Sequence, residues 1–375
     1  MIFGSVTTSQ GAIVLKAKER SPRKFRNIRR LVKKIKGPYL EELIHKFISS
    51  TRPSRIIGSK GHSKVIPFLN DFVRGISSIG KSDGVVETFN PDITSAILKY
   101  KNDFKKEIQG KYPRSHPVYK KWKLFTDKII NTLKKLQGIR GKNFVWEKRG
   151  TIDPDSILIL GANYDTILQN KKNNLLITHG EMPGADDNAS GCIILMALIE
   201  ILSELNLPKT VRIVFFDYQE FGQLGAKAYV KKHRNELVGN KKFAGFINLL
   251  MLGNDTKEAD KLKRSGNMKA YSRRQGTKGF YLDRRLYNGF NYGGSKVTRA
   301  VKFDLFPNGF EMSDHKFFWE AGLPALVLSQ DWENDLNQRQ HTSSDFVETL
   351  NMKTLYRSFQ YISGAVIAWA FDIRK

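Results

Sequence analysis

The sequence predicts an α/β fold, a mixed but mostly parallel twisted sheet with helices on both faces, and three observations carry that prediction. Short apolar, β-branched runs alternate with longer stretches whose apolar residues recur at helical spacing. A chain of 375 residues with 40% hydrophobic content can bury a sizeable core. Polar or Gly-rich turns follow several of the short runs, where open α/β sheets place their sites.

In chain order, 156–160, 211–216, 243–247 and 325–329 read as core strands of an eight-stranded or similar sheet. Helices are expected at 191–204, 225–236, 314–320 and 352–371. The last carries Leu355, Phe359, Ile362, Val366 and Trp369 close to helical spacing. Motifs spread from 161 to 342 must meet at one site, so residues 40–375 are expected to form one domain. A basic segment, 1–39, precedes it, and a basic helical insert lies at about 91–142.

The most informative stretch is Gly184-Ala-Asp-Asp-Asn-Ala-Ser-Gly191, an acidic pair in a Gly-rich turn that leads straight into an apolar run from Cys192. Two carboxylates at the mouth of a buried helix are costly unless a positive charge sits between them. A metal ion is one answer, because Asp oxygens are ordinary zinc and hard-cation ligands; a helix N-cap is the other. Glu220 follows the strand 211–216, and His341 lies in a polar loop beyond the strand 325–329. Asp187, Glu220 and His341 together make a three-ligand zinc shell with an open fourth position.

With these pieces in order, the chain resembles the zinc-dependent exopeptidases of metallopeptidase family 28, which includes aminopeptidases, glutamate carboxypeptidase and the glutaminyl cyclases. The resemblance rests on Gly161-Ala-Asn-Tyr-Asp-Thr166, the turn at 183–191, Phe216-Asp-Tyr-Gln-Glu-Phe-Gly-Gln-Leu-Gly225 and Ile247-Asn-Leu-Leu-Met-Leu-Gly253. Ser313-Asp-His315 with Ala321-Gly-Leu-Pro324, and His341-Thr342, complete it. Arg55-Ile-Ile-Gly-Ser59 and 143–150 also fit, so the likeness covers roughly residues 40 to 372. It implies the phosphorylase/hydrolase-like zinc exopeptidase fold.

The resemblance also defines departures. Where the family has a His ligand of the first metal this chain has Asn163, although the neighbouring Asp165 remains. The general-base Glu is replaced by Gln219, and the Asp that is the first metal's other private ligand is replaced by Leu250. Asp187, the family's bridging ligand, survives with Glu220 and His341, which serve the second metal. One ion therefore loses both private ligands while the other keeps its shell, so one zinc at most is expected. Gln219 can hydrogen-bond but cannot accept a proton, and general-base work is worth about 10²–10⁴-fold in rate. A single zinc would still bring a water to a pKa near ~7, which leaves some hydrolysis open. Of the acids that the cyclases use, only Asp314 has a counterpart. His179, Asp186 and His315 are read as surface or supporting groups.

One cysteine excludes a disulfide framework, and Cys192 at the head of an apolar helix reads as packed and inert. Residues 1–10 lack a secretion signal, and 362–371 is too short to span a bilayer, so cytoplasmic residence is expected. The formal charge of +27 is uneven. Residues 16–36 hold eleven basic residues and one acid, 97–142 fourteen and three, and 254–302 thirteen and four. The last span also holds Tyr271, Phe280, Tyr281, Tyr287, Phe290 and Tyr292, in a region that shapes the substrate pocket of the family. Such surfaces suit a polyanion or a merely solvated face. The stripe Phe25, Ile28, Leu31, Val32 and Ile35 suits either an anionic membrane surface or docking on the domain. Two functions follow: a metallopeptidase-like protein that is silent or impaired, or an active single-zinc aminopeptidase acting on peptide N-termini.

Overall fold

The computed structural model describes residues 4–6, 13–15, 21–76, 84–172, 175–256 and 268–373. Its centre is an eight-stranded sheet. The strands are β1 (Val85–Phe89), β2 (Gly141–Lys148), β3 (Asp153–Asn163), β4 (Lys209–Phe216), β5 (Phe243–Leu249), β6 (Lys269–Tyr271), β7 (Leu305–Phe306) and β8 (Ala325–Ser329). They lie in the order β7, β6, β8, β5, β3, β4, β2, β1. The central four, β8, β5, β3 and β4, are mutually parallel, while β2 and β1 continue antiparallel on one side and β6 pairs antiparallel with β8 on the other.

Side chains of β3 divide with the strand period of two. Leu158, Leu160 and Ala162 face the larger core, and Ile157 and Ile159 face the second. Both faces are covered, which is why the strand reads as an unbroken apolar run. The larger core is built on α1 (Ser190–Ser203), which is buried from Ser190 through Ile199 and has no polar face. Helices Gly37–Ser50 and Met352–Ala370 pack beside it, while Leu224–Lys232 and His315–Glu320 cover the other face. Gly161 lies where the layers touch: a Cβ there would come within 2.5 Å of the Phe216 ring and 2.8 Å of Phe246.

The basic amphipathic segment forms a helix, Ser21–Val32, which docks on this core. Phe25, Ile28, Leu31 and Val32 are buried, and Arg29 donates from Nε and Nη2 to the carbonyl of Lys296 at 3.0 and 2.6 Å. The apolar stripe is thus covered by the domain, whereas residues 16–20 lie outside the described residues. The position 39/40 falls inside helix Gly37–Ser50. In the insert, helices Ile93–Phe104 and Pro117–Lys135 pair with each other. They bury Ile93, Ala96, Ile129 and Leu133 against Tyr218, Phe221 and Leu224, next to the turn that carries Glu220. No helix of the described residues is long and apolar enough to cross a membrane.

Candidate metal centre

Asp187, Glu220 and His341 converge at the carboxyl edge of the parallel strands. Asp187 stands in the turn that opens α1, Glu220 in the turn after β4, and His341 in the loop after β8. One ligand atom from each lies within 4.8 Å of the others. Nε2 of His341 is 3.1 Å from Asp187 Oδ2 and 3.4 Å from Glu220 Oε2. Its Nδ1 faces Gln169 Oε1 at 3.2 Å, while the Gln169 N–H donates to the His341 carbonyl at 2.7 Å. A histidine whose far nitrogen is held in this way presents its near nitrogen in a fixed direction, as metal-binding histidines do.

The electrostatics ask for a cation. Burial, and then Asp187, push the Glu220 carboxyl up despite the His341 that opposes them. Burial alone would lower the His341 imidazole, yet Glu220 and Asp187 lift it to about 10. Two carboxylates and one imidazole in a poorly hydrated corner are balanced by a proton on the ring or by an ion in its place.

Three buried polar side chains hold these residues still. Asp345 accepts the backbone N–H of Asp186 at 3.0 Å and that of Asp187 at 3.0 Å. Asp165 accepts the N–H groups of Gln219 and Glu220, each at 3.1 Å. Arg55 donates to the carbonyls of Tyr164, Pro183 and Gly184 at 2.7, 2.7 and 2.9 Å, tying the turn to the end of β3. Sequence reasoning singled out Asp165 and the Arg55 motif but missed Asp345, Gln169 and Gln340, whose Nε2 donates to Asp187 Oδ2 at 3.1 Å. An acid four residues beyond His341 was the available signal for Asp345.

The replaced positions have new occupations. Asn163 accepts from Asn188 Nδ2 at 2.9 Å and donates to the Asp165 carbonyl at 3.2 Å. Leu250 is buried with Met251, Tyr271 and Val327, against Phe306, Phe310 and Trp332. Gln219 donates from Nε2 to the Met312 carbonyl at 3.1 Å, and its buried Oε1 has no partner. Asp314 is fully buried with neither oxygen partnered, and burial followed by Glu220 raises its carboxyl well above the usual range.

Neither Asp186 nor His315 is a surface group. Asp186 is buried and accepts from the Gly253 N–H at 2.7 Å and Asn337 Nδ2 at 2.8 Å. His315 is buried with Nε2 2.5 Å from the Phe310 carbonyl. His179 is exposed and stands outside the three-residue cluster. Cys192 is buried, its Sγ donates to the Asn163 carbonyl at 3.2 Å, and burial lifts the thiol to about 12.

A cavity of about 680 Å³ opens on Asp187, Gln219, Glu220 and His341. Helices Ile93–Phe104 and Pro117–Lys135 give it an aromatic wall of Tyr100, Phe104, Trp122 and Phe125, and Phe310, Met312 and Trp332 face that wall. The Tyr100 hydroxyl donates to the Glu220 carbonyl at 3.2 Å. None of the described residues of 254–302 lines this cavity; Phe290 and Tyr292 line a separate one that also includes Phe243 and Trp369.

Comparison with known proteins agrees with the motifs. The profile of peptidase family M28 matches residues 143–366, a span that the two insert helices precede. The chain is 32% identical over 240 residues to a probable zinc metalloprotease of Pyrenophora tritici-repentis, covering 58% of this chain and 52% of that protein. It is 25% identical over 226 residues to leucine aminopeptidase 1 of Paracoccidioides brasiliensis, covering 57% and 52%. It spans about half the length of these curated relatives. A zinc aminopeptidase from Bacillus subtilis superimposes with a TM-score of 0.60 at 17% identity, over 88% of this chain and 94% of that one. Glutaminyl cyclase from Porphyromonas gingivalis gives 0.57 at 16%, over 88% and 97%. Such identities speak for the fold alone, whereas the profile match extends over more than half of the residues: the chain belongs to peptidase family M28.

Proposed function

We propose that this protein is a metallopeptidase-like member of its family that holds one zinc ion on Asp187, Glu220 and His341. It seats the amino terminus of a peptide or protein beside that ion with little or no hydrolysis. The donor set suits zinc, being two carboxylates and an imidazole whose Nδ1 is already held. Relatives named zinc metalloprotease and leucine aminopeptidase support both the ion and the kind of ligand.

The observation that carries the reading is the fate of Asn163 and Leu250. The first is committed to Asn188 and Asp165, and the second is packed among apolar side chains. Neither offers a second ion the imidazole or carboxylate that the resemblance implies at these positions. Zinc, when bound, supplies a Lewis acid. The other tasks fall to protein side chains. Gln219 Oε1, buried and unpartnered at the cavity wall, can accept a hydrogen bond but cannot take the proton of an attacking water. Losing that proton transfer adds about 3–5 kcal/mol to the barrier.

Turnover of aminoacyl reporter substrates tests the reading. The unmodified protein is expected to give no chelator-sensitive rate, and Gln219→Glu alone to help little. Asn163→His, Gln219→Glu and Leu250→Asp combined are expected to gain one. Robust chelator-sensitive turnover by the unmodified chain would replace this reading with an active single-zinc aminopeptidase.

A further inference from the structure

We propose that the helical insert is a docking surface for an acidic polypeptide segment, one that follows an amino terminus seated in the cavity. The inference rests on the function proposed above and adds to it the class of partner.

Position is the first support. Helices Ile93–Phe104 and Pro117–Lys135 supply the wall of the cavity through Tyr100, Phe104, Trp122 and Phe125, and Tyr100 touches the Glu220 carbonyl directly. A chain leaving the cavity on this side runs over the insert. Charge is the second. Residues 97–142 hold fourteen basic residues and three acids, and each acid is already engaged. Asp103 pairs with Lys99 at 2.9 Å, Glu107 with Lys111 at 2.5 Å, and Asp127 with Lys123 at 2.6 Å. Among the described residues, no carboxylate pairs with Lys101, Lys120, Lys121 or Lys128 of the two helices.

Apolar exposure is the third. Trp122 both lines the cavity and is 38% exposed, and Leu98 and Leu124 are 57% and 48% exposed on the same two helices. Side chains of this type, set among lysines that lack counter-charges, suit a ligand that brings carboxylates together with some apolar surface. An acidic peptide does so. The alternative polyanion is a nucleic acid, which would meet the same lysines through its phosphates. Adjacency to a cavity sized for a side chain and a peptide terminus favours the peptide.

The partner should gain affinity with each added acid and lose it with salt, because exposed ion pairs are individually weak and strongly screened. Three such pairs, at about twofold each, give about tenfold in all.

The test uses fluorescently labelled dodecapeptides with the same free N-terminal Phe, followed by Asp/Glu-rich or by Ser/Gly-rich sequence. Their binding to the zinc-loaded full chain is measured by anisotropy at low salt. Acetylated versions and a single-stranded dodecanucleotide serve as controls. The expected result is about tenfold tighter binding of the acidic peptide. That gain should vanish in Lys120→Glu/Lys121→Glu/Lys128→Glu, while binding of the neutral peptide is unchanged. Equal binding of the two free-amine peptides would overturn the inference and leave the proposed function standing. Acidic peptides that bind equally with and without the acetyl group would overturn it too, and would count against the terminus-binding role itself. Displacement of the acidic peptide by a lower concentration of the oligonucleotide would reassign the surface to nucleic acid.

Discussion

The side-chain amide of Asn188 donates to Oδ1 of Asn163 at 2.9 Å, and Asn163 Nδ2 donates in turn to the Asp165 carbonyl at 3.2 Å. Asn188 Nδ2 also donates to the Leu249 carbonyl at 2.8 Å, so the bond joins the ends of β3 and β5 beneath the cluster. A position at which the family resemblance implies a metal ligand takes part here in a hydrogen-bond link between two strand ends.

Asn163→His alone is therefore expected to lower stability and to gain no ion. It removes the acceptor for Asn188 in a fully buried site, at a cost of about 1–3 kcal/mol by chemical denaturation. An unchanged denaturation midpoint would show that the Asn163–Asn188 bond holds nothing.

Leu250→Asp places a carboxylate among Met251, Tyr271, Val327 and Trp332. The single variant is expected to lose about 3 kcal/mol or more at neutral pH, since an unpaired buried charge is costly. Leu250→Asn should lose less. Zinc is expected to restore stability to the variant that also carries Asn163→His and Gln219→Glu, and not to Leu250→Asp by itself. Thermal melts with and without zinc compare them.

Asp345 fixes the backbone of Asp186 and Asp187 without touching the ion position, so it acts as a positioning residue. Asp345→Asn turns one acceptor oxygen into a donor that faces those N–H groups. Zinc affinity is expected to fall about 10–100-fold, as for other residues that orient ligands, and calorimetric titration reads it directly. Unaltered affinity would mean that the turn keeps its shape unaided.

His315 makes stability depend on pH. Burial holds its imidazole down at about 3, with Phe310 stacked beside it and Trp319 edge-on at 4.4 Å. A histidine whose folded pKa lies below its unfolded value of about 6.5 stays neutral in the fold but takes up a proton on unfolding. Its stabilising contribution is complete above about 6.5 and is lost as pH falls toward 3. The slope is at most about 1.4 kcal/mol per pH unit. His315→Gln should flatten that part of a stability–pH profile, and identical slopes for the two proteins would refute the assignment.

How much of this was legible in the sequence varies by element. The four parallel strands were legible because burial on both faces leaves unbroken apolar runs. The structure extends 156–160 to Asp153–Asn163, since polar residues at the strand ends carry no periodic signal. The short strands Lys269–Tyr271 and Leu305–Phe306, at one side of the sheet, are too short to stand out. The expected helix 225–236 ends at Lys232, and a separate turn follows at Arg234–Leu237. Asp187, Glu220 and His341 could be named because each sits in a recognisable turn. Asp345 and Gln169 could not, because their work is done through hydrogen bonds to residues 158 and 172 positions away, and no local pattern records that. The stripe of helix Ser21–Val32 was equally compatible with a membrane surface, and only the burial of Phe25 and Ile28 in the fold distinguishes docking.

Zinc per chain by elemental analysis, after saturation and exhaustive dialysis, tests most directly whether three residues hold one ion. One equivalent is expected in the unmodified protein and none in His341→Ala. Two tightly held equivalents in the unmodified protein would contradict this, because a second ion would need ligands beyond the one His/Asp/Glu cluster found among the described residues.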